Sequence, residues 1–445
     1  MWNSDEDRAI LVRMNFYEEE TFLETKKIIQ VEDKVGADLL IPLSLQHMFA
    51  MFGATVLVPM LFQINPSVVL LMNGIGTLLF ILITKGKAPA YLGSSFAFLG
   101  PAGLVISQWG YSYALGGFIA VGLAACIISF IFYKFGIKWI DVVLPPAAMG
   151  PVVALIGLEL AQTAAKTGGV IATETAPIDS KNVIVFLVTL IVAVLGNVLF
   201  RKFFAVIPIL IAIIAGYITA LFTKVVTGDQ LIHALQSSFI HIPNFQAPKF
   251  NIQAILMILP VILVLASEHI GHQIVTSKIV DRDLVKDPGL HRSFFADGIS
   301  TMLSGFVGSV PTTTYGENIG VMAMTKVYSV QVIGGAAVLS IVSAFIGPIA
   351  ALIQTIPGAV IGGISFLLYG TIGASGIRVM VDAQVDFSRS RNLTLTSVVF
   401  VTGLSGVALK IGEVTLTGMV LACVVAMVMS LLFYVFDKLG LTNDK

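Results

Sequence analysis

Two glutamates lie inside apolar stretches of this chain, where an acidic side chain is costly. Glu268 lies in the stretch 253–276 and Glu317 in the stretch 311–325. An acid at bilayer depth costs about 3 kcal/mol or more and marks a functional site by default. A carboxylate accepts hydrogen bonds when ionised and donates one when protonated. The pair therefore indicates binding of a polar ligand coupled to proton exchange, or else a structural hydrogen-bond network between helices.

Other polar residues accompany the two acids. His272 lies one helical turn after Glu268 on the same face, which suits it to relay or stabilise a proton there. Gln46 and His47 either supply donors to the acids or only tie the first helix to the second half of the chain. We expect Asp297 to form an ion pair with Arg292, five residues earlier.

No residue pattern favours enzyme chemistry. The sequence contains no metal-site spacing, phosphate-binding loop or nucleophile elbow. The two cysteines, Cys126 and Cys423, stand alone in apolar runs, which suits packing better than a disulfide or a metal site. We therefore expect no catalytic residue, no metal and no cofactor other than a transported proton. Glu159, near the outer end of its apolar stretch, is expected to reach water.

Two apolar stretches contain residues that disfavour helix formation. The sequence 91–101 and the sequence 311–318 each combine Ser or Thr, an aromatic residue and Gly, at corresponding places in the two halves. Non-helical backbone at membrane depth is tolerated only where it is buried in protein or lines a cavity. We predict that the two stretches are extended, face each other and precede half-helices with free amide groups. The alternative is that Gly and Pro merely kink two packed helices.

The composition requires a membrane. Hydrophobic residues make up 56% of the 445 residues and charged residues only 12%. Runs of about 20 apolar residues cross a bilayer. The sequence predicts an all-α membrane protein with fourteen crossings, the third and tenth short and interrupted: 39–61, 67–84, 91–107, 113–133, 143–164, 183–200, 204–223, 253–276, 293–309, 311–325, 329–351, 356–376, 393–410 and 416–436.

The basic residues predict the orientation. With a cytoplasmic amino terminus, all but five of the 26 Lys and Arg residues fall in the tails and loops on the cytoplasmic side. The five exceptions are Lys166, Lys181, Lys224, Lys249 and Lys410. Both termini are therefore predicted to be cytoplasmic. The amino-terminal residues 1–38 form a polar tail that does not resemble a cleavable signal.

The two halves of the chain contain similar short sequences at corresponding places. The run from Asn73 to Leu79 recurs from Asp297 to Leu303, 224 residues later, and Gln46-His47 recurs as Glu268-His269. Seven crossings per half is an odd number, so the second copy must enter the membrane in the opposite orientation. Inverted repeats with a site between them are typical of transporters that work by alternating access.

Four motifs resemble one known family. The run 317–326 fits the signature of the nucleobase-ascorbate transporter (nucleobase:cation symporter-2) family, and Gln46-His47 fits its first-helix motif. The four runs 42–47, 91–98, 287–293 and 314–320 are most similar to the family's bacterial uracil-transporting members. The resemblance extends from about Ile41 to Phe436 and leaves out the long amino-terminal tail.

The resemblance implies a fold and an activity. It implies a core domain over residues 39–135 and 253–353, and a gate domain over residues 141–225 and 354–438. The implied activity is uptake of uracil with a proton across a bacterial plasma membrane. The implied assembly is a homodimer through the gate domains within the lipid bilayer, with no nucleic acid partner.

The resemblance also implies roles for individual residues. Glu268 and Glu317 would bind the ring nitrogens of uracil, and the backbone amides of Phe96 and Gly316 would meet its carbonyl oxygens. Tyr315 and Tyr369 would line the site, and His272 would take part in proton coupling with Glu268. The site would be supported by Gln46, His47 and Asn318.

Two other transport activities share this scaffold. A purine symporter for xanthine, urate or guanine is the nearer alternative, although that branch of the family usually carries Gln at the position of Glu317. An anion transporter is the other, but two acids in the pocket would repel an anion.

Overall fold

A computed structural model of the chain describes residues 28–136, 138–172, 177–201, 204–205, 207–412 and 414–442. Of the predicted tail, residues 1–27 lie outside this part. The helices of the first half are α1 Ala37–Leu61, α2 Pro66–Ile83, α3 Leu99–Trp109, α4 Tyr111–Phe135, α5 Ile140–Val143, α6 Pro146–Leu158, α7 Ala161–Thr167, α8 Ser180–Leu199, α9 Pro208–Phe222 and α10 Gly228–Leu235. Those of the second half are α11 Ile252–Ile258, α12 Val261–Val280, α13 Leu290–Val307, α14 Gly316–Thr325, α15 Val330–Ala344, α16 Gly347–Gln354, α17 Gly358–Asp382, α18 Ser390–Leu404 and α19 Gly418–Lys438.

The described part of the chain also has four short strands, β1 Leu92–Ser94, β2 Thr312–Thr314, β3 Ala408–Ile411 and β4 Val414–Thr417, together with a 3-10 turn at Phe96–Phe98 and a π-helical turn at Val285–Gly289. Strands β3 and β4 form an antiparallel hairpin that the prediction of an all-α chain missed. As a result, α18 ends at Leu404 instead of continuing to residue 410.

Most predicted crossings coincide with one helix or with two successive helices, whereas the third and the tenth each combine a strand with a helix and the thirteenth combines α18 with β3. Eight helices in the described part of the chain are long and apolar enough to cross a membrane. The count of fourteen crossings stays a prediction, because several helices are short or divided. The eighth predicted crossing, for example, divides into α11 and α12 next to Pro260, which lacks the amide hydrogen that a continuous helix requires.

The two predicted extended stretches pair with each other. Strands β1 and β2 are antiparallel, with Leu92 opposite Thr314 and Ser94 opposite Thr312. Backbone bonds continue the pairing beyond both ends, from Tyr315 N to Tyr91 O at 3.0 Å and from Ser95 N to Pro311 O at 2.8 Å. All three residues of each strand are buried. The pairing confirms that the stretches face each other inside the protein.

A threonine from the preceding helix holds each strand. Leu92 N donates to Thr77 Oγ1 of α2 at 2.9 Å. In the second half, Thr301 Oγ1 of α13 accepts from Thr312 N at 3.2 Å and donates to Thr312 O at 2.9 Å. Both threonines belong to the repeated run found in the sequence. The repeated run thus supplies the partner that an extended backbone needs where no water is available.

Small residues bring the surrounding helices close together. A Cβ atom on Gly122 of α4 would lie 2.6 Å from Gly298 O of α13. A Cβ atom on Gly157 of α6 would lie 2.0 Å from Tyr369 O of α17. Such close backbone contacts replace the hydrophobic driving force that lipid removes between helices. Helices α4 with α13 and α6 with α17 therefore form tight pairs.

Candidate functional site

A cavity of about 260 Å³ lies beside the paired strands. Its wall includes Glu268 and His272 of α12, Phe96 just after β1, and the run from Thr313 to Glu317 at the end of β2 and the start of α14. Helix α17 closes the opposite side with residues between Leu367 and Ser375. The cavity therefore collects residues from several helices and from the ends of both strands, which are far apart in the sequence.

The start of α14 faces the cavity. Residues 311–315 are buried, whereas Gly316 is exposed and Glu317 is partly exposed. These are the first two residues of the helix, so their amide groups have no partner within it. The positive end of the helix dipole favours a negative charge on Glu317. This helix start offers backbone donors and a carboxylate acceptor side by side.

Glu268 contributes an unpaired acceptor. Its Oε2 atom is buried and has no hydrogen-bond partner within the described residues. Thr313 of β2 lies close enough to interact with this carboxyl group. Leaving a buried polar atom unpaired costs about 1 to 3 kcal/mol, and more when the group is charged. Both residues line the cavity, so a ligand with a hydrogen-bond donor can meet this unpaired acceptor.

His272 contacts the end of β2 and faces the start of α14. Its Nδ1 atom is 2.9 Å from Thr314 Oγ1 of β2. A Cβ atom on Gly316 would lie 3.5 Å from His272 Nε2, so the ring faces the start of α14. The structure brings His272 into the same cavity as Glu268, and its hydrogen bond is to Thr314. Its part in proton coupling stays a prediction.

Aromatic rings form one end of the cavity. Phe96 lies edge-on against Tyr369, with ring centroids 5.8 Å apart. Tyr315 donates from its hydroxyl group to Ser94 O at 3.0 Å, which joins the end of β2 to β1. Phe96 and Tyr315 line the cavity. Tyr369 is buried behind Phe96 and supports that ring.

One polar residue of α1, His47, contacts α14. Asn318 Nδ2 lies 3.1 Å from both the backbone oxygen and the Nδ1 atom of His47. All of these groups are buried, and Gln46 is buried as well. His47 therefore ties the first helix to the second half of the chain. This contact fixes the residue that follows Glu317.

A buried pair beside the site was missed by the sequence analysis. His269 Nδ1 lies 3.1 Å from Asp297 Oδ2, and His269 Nε2 lies 2.9 Å from Ser293 Oγ. The expected ion pair of Asp297 with Arg292 is wrong, because the Asp297 side chain is fully buried and turns inward to His269. A sequence signal did exist, since Asp297 begins the run that repeats the one at Asn73.

Glu159 also differs from expectation. It is partly buried, and its Oε2 atom accepts a hydrogen bond from Met419 N at 2.8 Å. Met419 is the second residue of α19, so the carboxylate satisfies an amide at a helix start. Glu159 thus joins α6 to α19 and does more than reach water.

Comparison with known proteins gives a consistent family. A model of the permease family that includes xanthine and uracil permeases matches residues 39–412. The chain is 53% identical to a uracil permease of Paenibacillus larvae over 94% of this chain and 99% of that protein. It is 53% identical to a uracil permease of Escherichia coli K12 over 93% and 96%, and 43% identical to one of Bacillus caldolyticus over 92% and 95%.

Solved structures with a similar fold are more distant in sequence. The transmembrane domain of the cyanobacterial bicarbonate transporter BicA superimposes with a TM-score of 0.60 at 13% identity, over 90% of this chain and all of that one. The transporter SLC26A9 superimposes with a TM-score of 0.66 at 11% identity, over 89% of this chain and 65% of that one. At these identities the likeness concerns the fold alone.

Proposed function

The chain belongs to this permease family and is a multi-pass membrane transporter, not an enzyme; we propose that it imports uracil by proton symport. One observation carries the proposal. Glu317, the unpaired Oε2 atom of Glu268 and the amide groups after both extended strands converge on one cavity of about 260 Å³.

Uracil complements such a site. The ring presents two N–H donors and two carbonyl acceptors in one plane. The two carboxylates supply acceptors, and the backbone amides at Phe96 and Gly316 supply donors, so no polar group of the bound ring stays unpaired. Drug-sized ligands occupy pockets of roughly 300 to 1,000 Å³, and the smaller volume here suits a single ring. Phe96 offers an apolar face to that ring.

Proton coupling follows from the same residues. A buried carboxylate without a partner is stable when it is protonated or when a ligand donor satisfies it. Glu268 would therefore gain a proton with the substrate and lose it after release on the other side. His272 is the proposed relay, since its ring lies between Thr314 and the start of α14.

We further propose that the fold consists of two inverted seven-segment repeats. The antiparallel pairing of β1 with β2 and the matching threonine contacts of Thr77 and Thr301 support this symmetry. The core domain would comprise residues 39–135 and 253–353, and the gate domain residues 141–225 and 354–438. Movement of one domain against the other would expose the cavity to each side in turn.

The proposal also covers the orientation, the membrane and the assembly of the transporter. We place both termini in the cytoplasm and the protein in a bacterial plasma membrane, as the distribution of basic residues supports. We also propose a homodimer through the gate domains. Helix α8 of the proposed gate domain carries exposed apolar side chains, including Ile191 and Leu195, which suit contact with lipid.

Two other cargoes compete with uracil. An anion is favoured by the fold, which this chain shares with a bicarbonate transporter and an anion transporter. Two carboxylates in the cavity oppose it, because they would repel a negative charge. A purine such as xanthine is favoured by the breadth of the family.

One transport experiment distinguishes these cargoes. Purified protein in liposomes is given labelled uracil with an acidic exterior, and unlabelled uracil, xanthine or bicarbonate is added in excess. We expect only uracil to abolish accumulation of the label. Equal competition by xanthine would indicate a purine symporter. If the folded, reconstituted protein accumulated no uracil, the proposal would be rejected.

A further inference from the structure

The residues that precede α1 form an extended segment along the link between α14 and α15. Ile29 N donates to Lys326 O at 3.1 Å, and Ile29 O accepts from Tyr328 N at 2.8 Å. Val330 N then donates to Val31 O at 2.9 Å, and the side chain of Val31 is completely buried. We name residues 29–35 the first strap.

Side chains extend this attachment to a second helix. Arg282, just after α12, forms an ion pair with Glu32 at 2.6 Å. Ser329 Oγ donates to Asp33 O at 2.6 Å, and Val35 N donates to Gln331 Oε1 at 2.9 Å. The first strap thus joins the end of the helix that carries Glu268 and His272 to the end of the helix that carries Glu317.

Helix α14 depends on what holds its far end. It has only ten residues and ends at Lys326, which is in the left-handed conformation with φ of 60°. A helix of this length spans about 15 Å, so a tilt at one end displaces the other. Its last carbonyl groups need partners outside the helix, and the chain just beyond it bonds to Ile29. The strap therefore constrains the direction in which Gly316 and Glu317 point.

A second extended segment makes the equivalent contact in the other half. Residues 246–250, just before α11, form the second strap. Lys249 N donates to Ser112 O at 2.8 Å, next to the link between α3 and α4, and Gln246 N donates to Val307 O at 3.2 Å. A Cβ atom on Gly116 would lie 2.4 Å from Lys249 O, so Gly116 permits this approach. Each half-helix is therefore held at its far end by a segment from the opposite half.

We propose that the first strap is a positioning element for the ligand site, which fixes the start of α14 relative to Glu268. This inference rests on the proposed uracil site. It predicts that uracil affinity depends on strap residues that never touch the ligand. The ion pair between Glu32 and Arg282 and the backbone bond of Ile29 are its two testable contacts.

The test compares three full-length single variants and one double variant with the wild type. Glu32→Gln removes the ion pair, and Ile29→Pro removes the amide that bonds to Lys326. Lys34→Gln is the matched control on the same segment, because none of the ion pairs in the described part of the chain includes Lys34. Each protein is titrated with uracil by calorimetry, and amide hydrogen exchange is measured in the ligand-free state over α14 and α8.

We expect Glu32→Gln to weaken uracil affinity about two- to five-fold, which corresponds to the usual free-energy contribution of an exposed ion pair. Ile29→Pro should weaken it further, and both should speed exchange in α14 but not in α8. The double exchange Glu32→Arg with Arg282→Glu should restore affinity. The control should match the wild type.

Two outcomes overturn the proposal. One is unchanged affinity with unchanged exchange in α14 for both strap variants. The other is equal acceleration in α8, which would mean general loosening of the fold. If the wild type itself binds no uracil, the proposed function fails, while faster exchange confined to α14 would still support the strap.

Discussion

Gly93 is the position where one added carbon should harm the site most clearly. It lies in β1 opposite Thr313, and a Cβ atom there would be 2.2 Å from Tyr315 Cζ and 2.4 Å from Cε2. No rotamer of alanine avoids this contact, because Cβ is fixed by the backbone. Gly93→Ala must therefore displace the Tyr315 ring or separate the two strands.

The expected cost can be assembled from the structure. Inserting a methyl group into a packed interior costs about 1 to 3 kcal/mol. A displaced ring also loses the hydrogen bond from its hydroxyl group to Ser94 O, which is worth about 1 kcal/mol. The total is about 2 to 4 kcal/mol, shared between lower stability and weaker ligand binding. Because Tyr315 directly precedes Gly316, its shift also misplaces the backbone donor at the start of α14.

The assay is thermal unfolding of purified protein with and without uracil, together with calorimetric titration. Gly103→Ala on α3 is the matched control, because no described atom outside the local backbone of its own helix lies within 4 Å of its Cβ position. We expect the control to be neutral or more stable by about 0.5 to 1 kcal/mol, since it replaces a helical glycine. Wild-type melting and affinity in Gly93→Ala would refute the packing of Tyr315 against Gly93.

Three further changes test separate parts of the site. Glu317→Gln should abolish or severely weaken uracil binding in calorimetry while the protein stays folded, because an amide presents a donor where the substrate has one; wild-type affinity would remove Glu317 from the site. His272→Ala should keep measurable binding but slow uptake and alter its pH profile, and an unshifted profile with normal turnover would exclude a role in coupling. Thr301→Val should lower the melting temperature and the affinity, because it leaves Thr312 N and O without their partner; unchanged values would show that this contact does not hold β2.

The two acids and the two extended stretches that face the cavity could be predicted from the sequence, whereas other residues of its wall, such as Asn197 and Thr371, carried no signal. Glu268 and Glu317 stood out because acids are rare in apolar segments, and the strands because Ser, Thr and Gly interrupt both halves at matching places. These signals are local, since each depends on what a bilayer forbids. The structure brings both acids and both strand ends to one cavity.

Contacts between distant helices were beyond the sequence. Asp297 seemed to belong with nearby Arg292, whereas its partner His269 lies 28 residues earlier on another helix. Only the packing of α12 against α13 decides between the two. The straps were missed for a related reason, because extended segments bonded through their backbone leave no pattern of side chains.

An experimental structure with bound uracil tests the central claim most directly. It should show the ring in the cavity beside Phe96, with Glu268 and Glu317 within about 3 Å of its ring nitrogens and the backbone amides of Phe96 and Gly316 at similar distances from its oxygens. Uracil bound elsewhere, or an empty cavity at saturating uracil, would contradict the account.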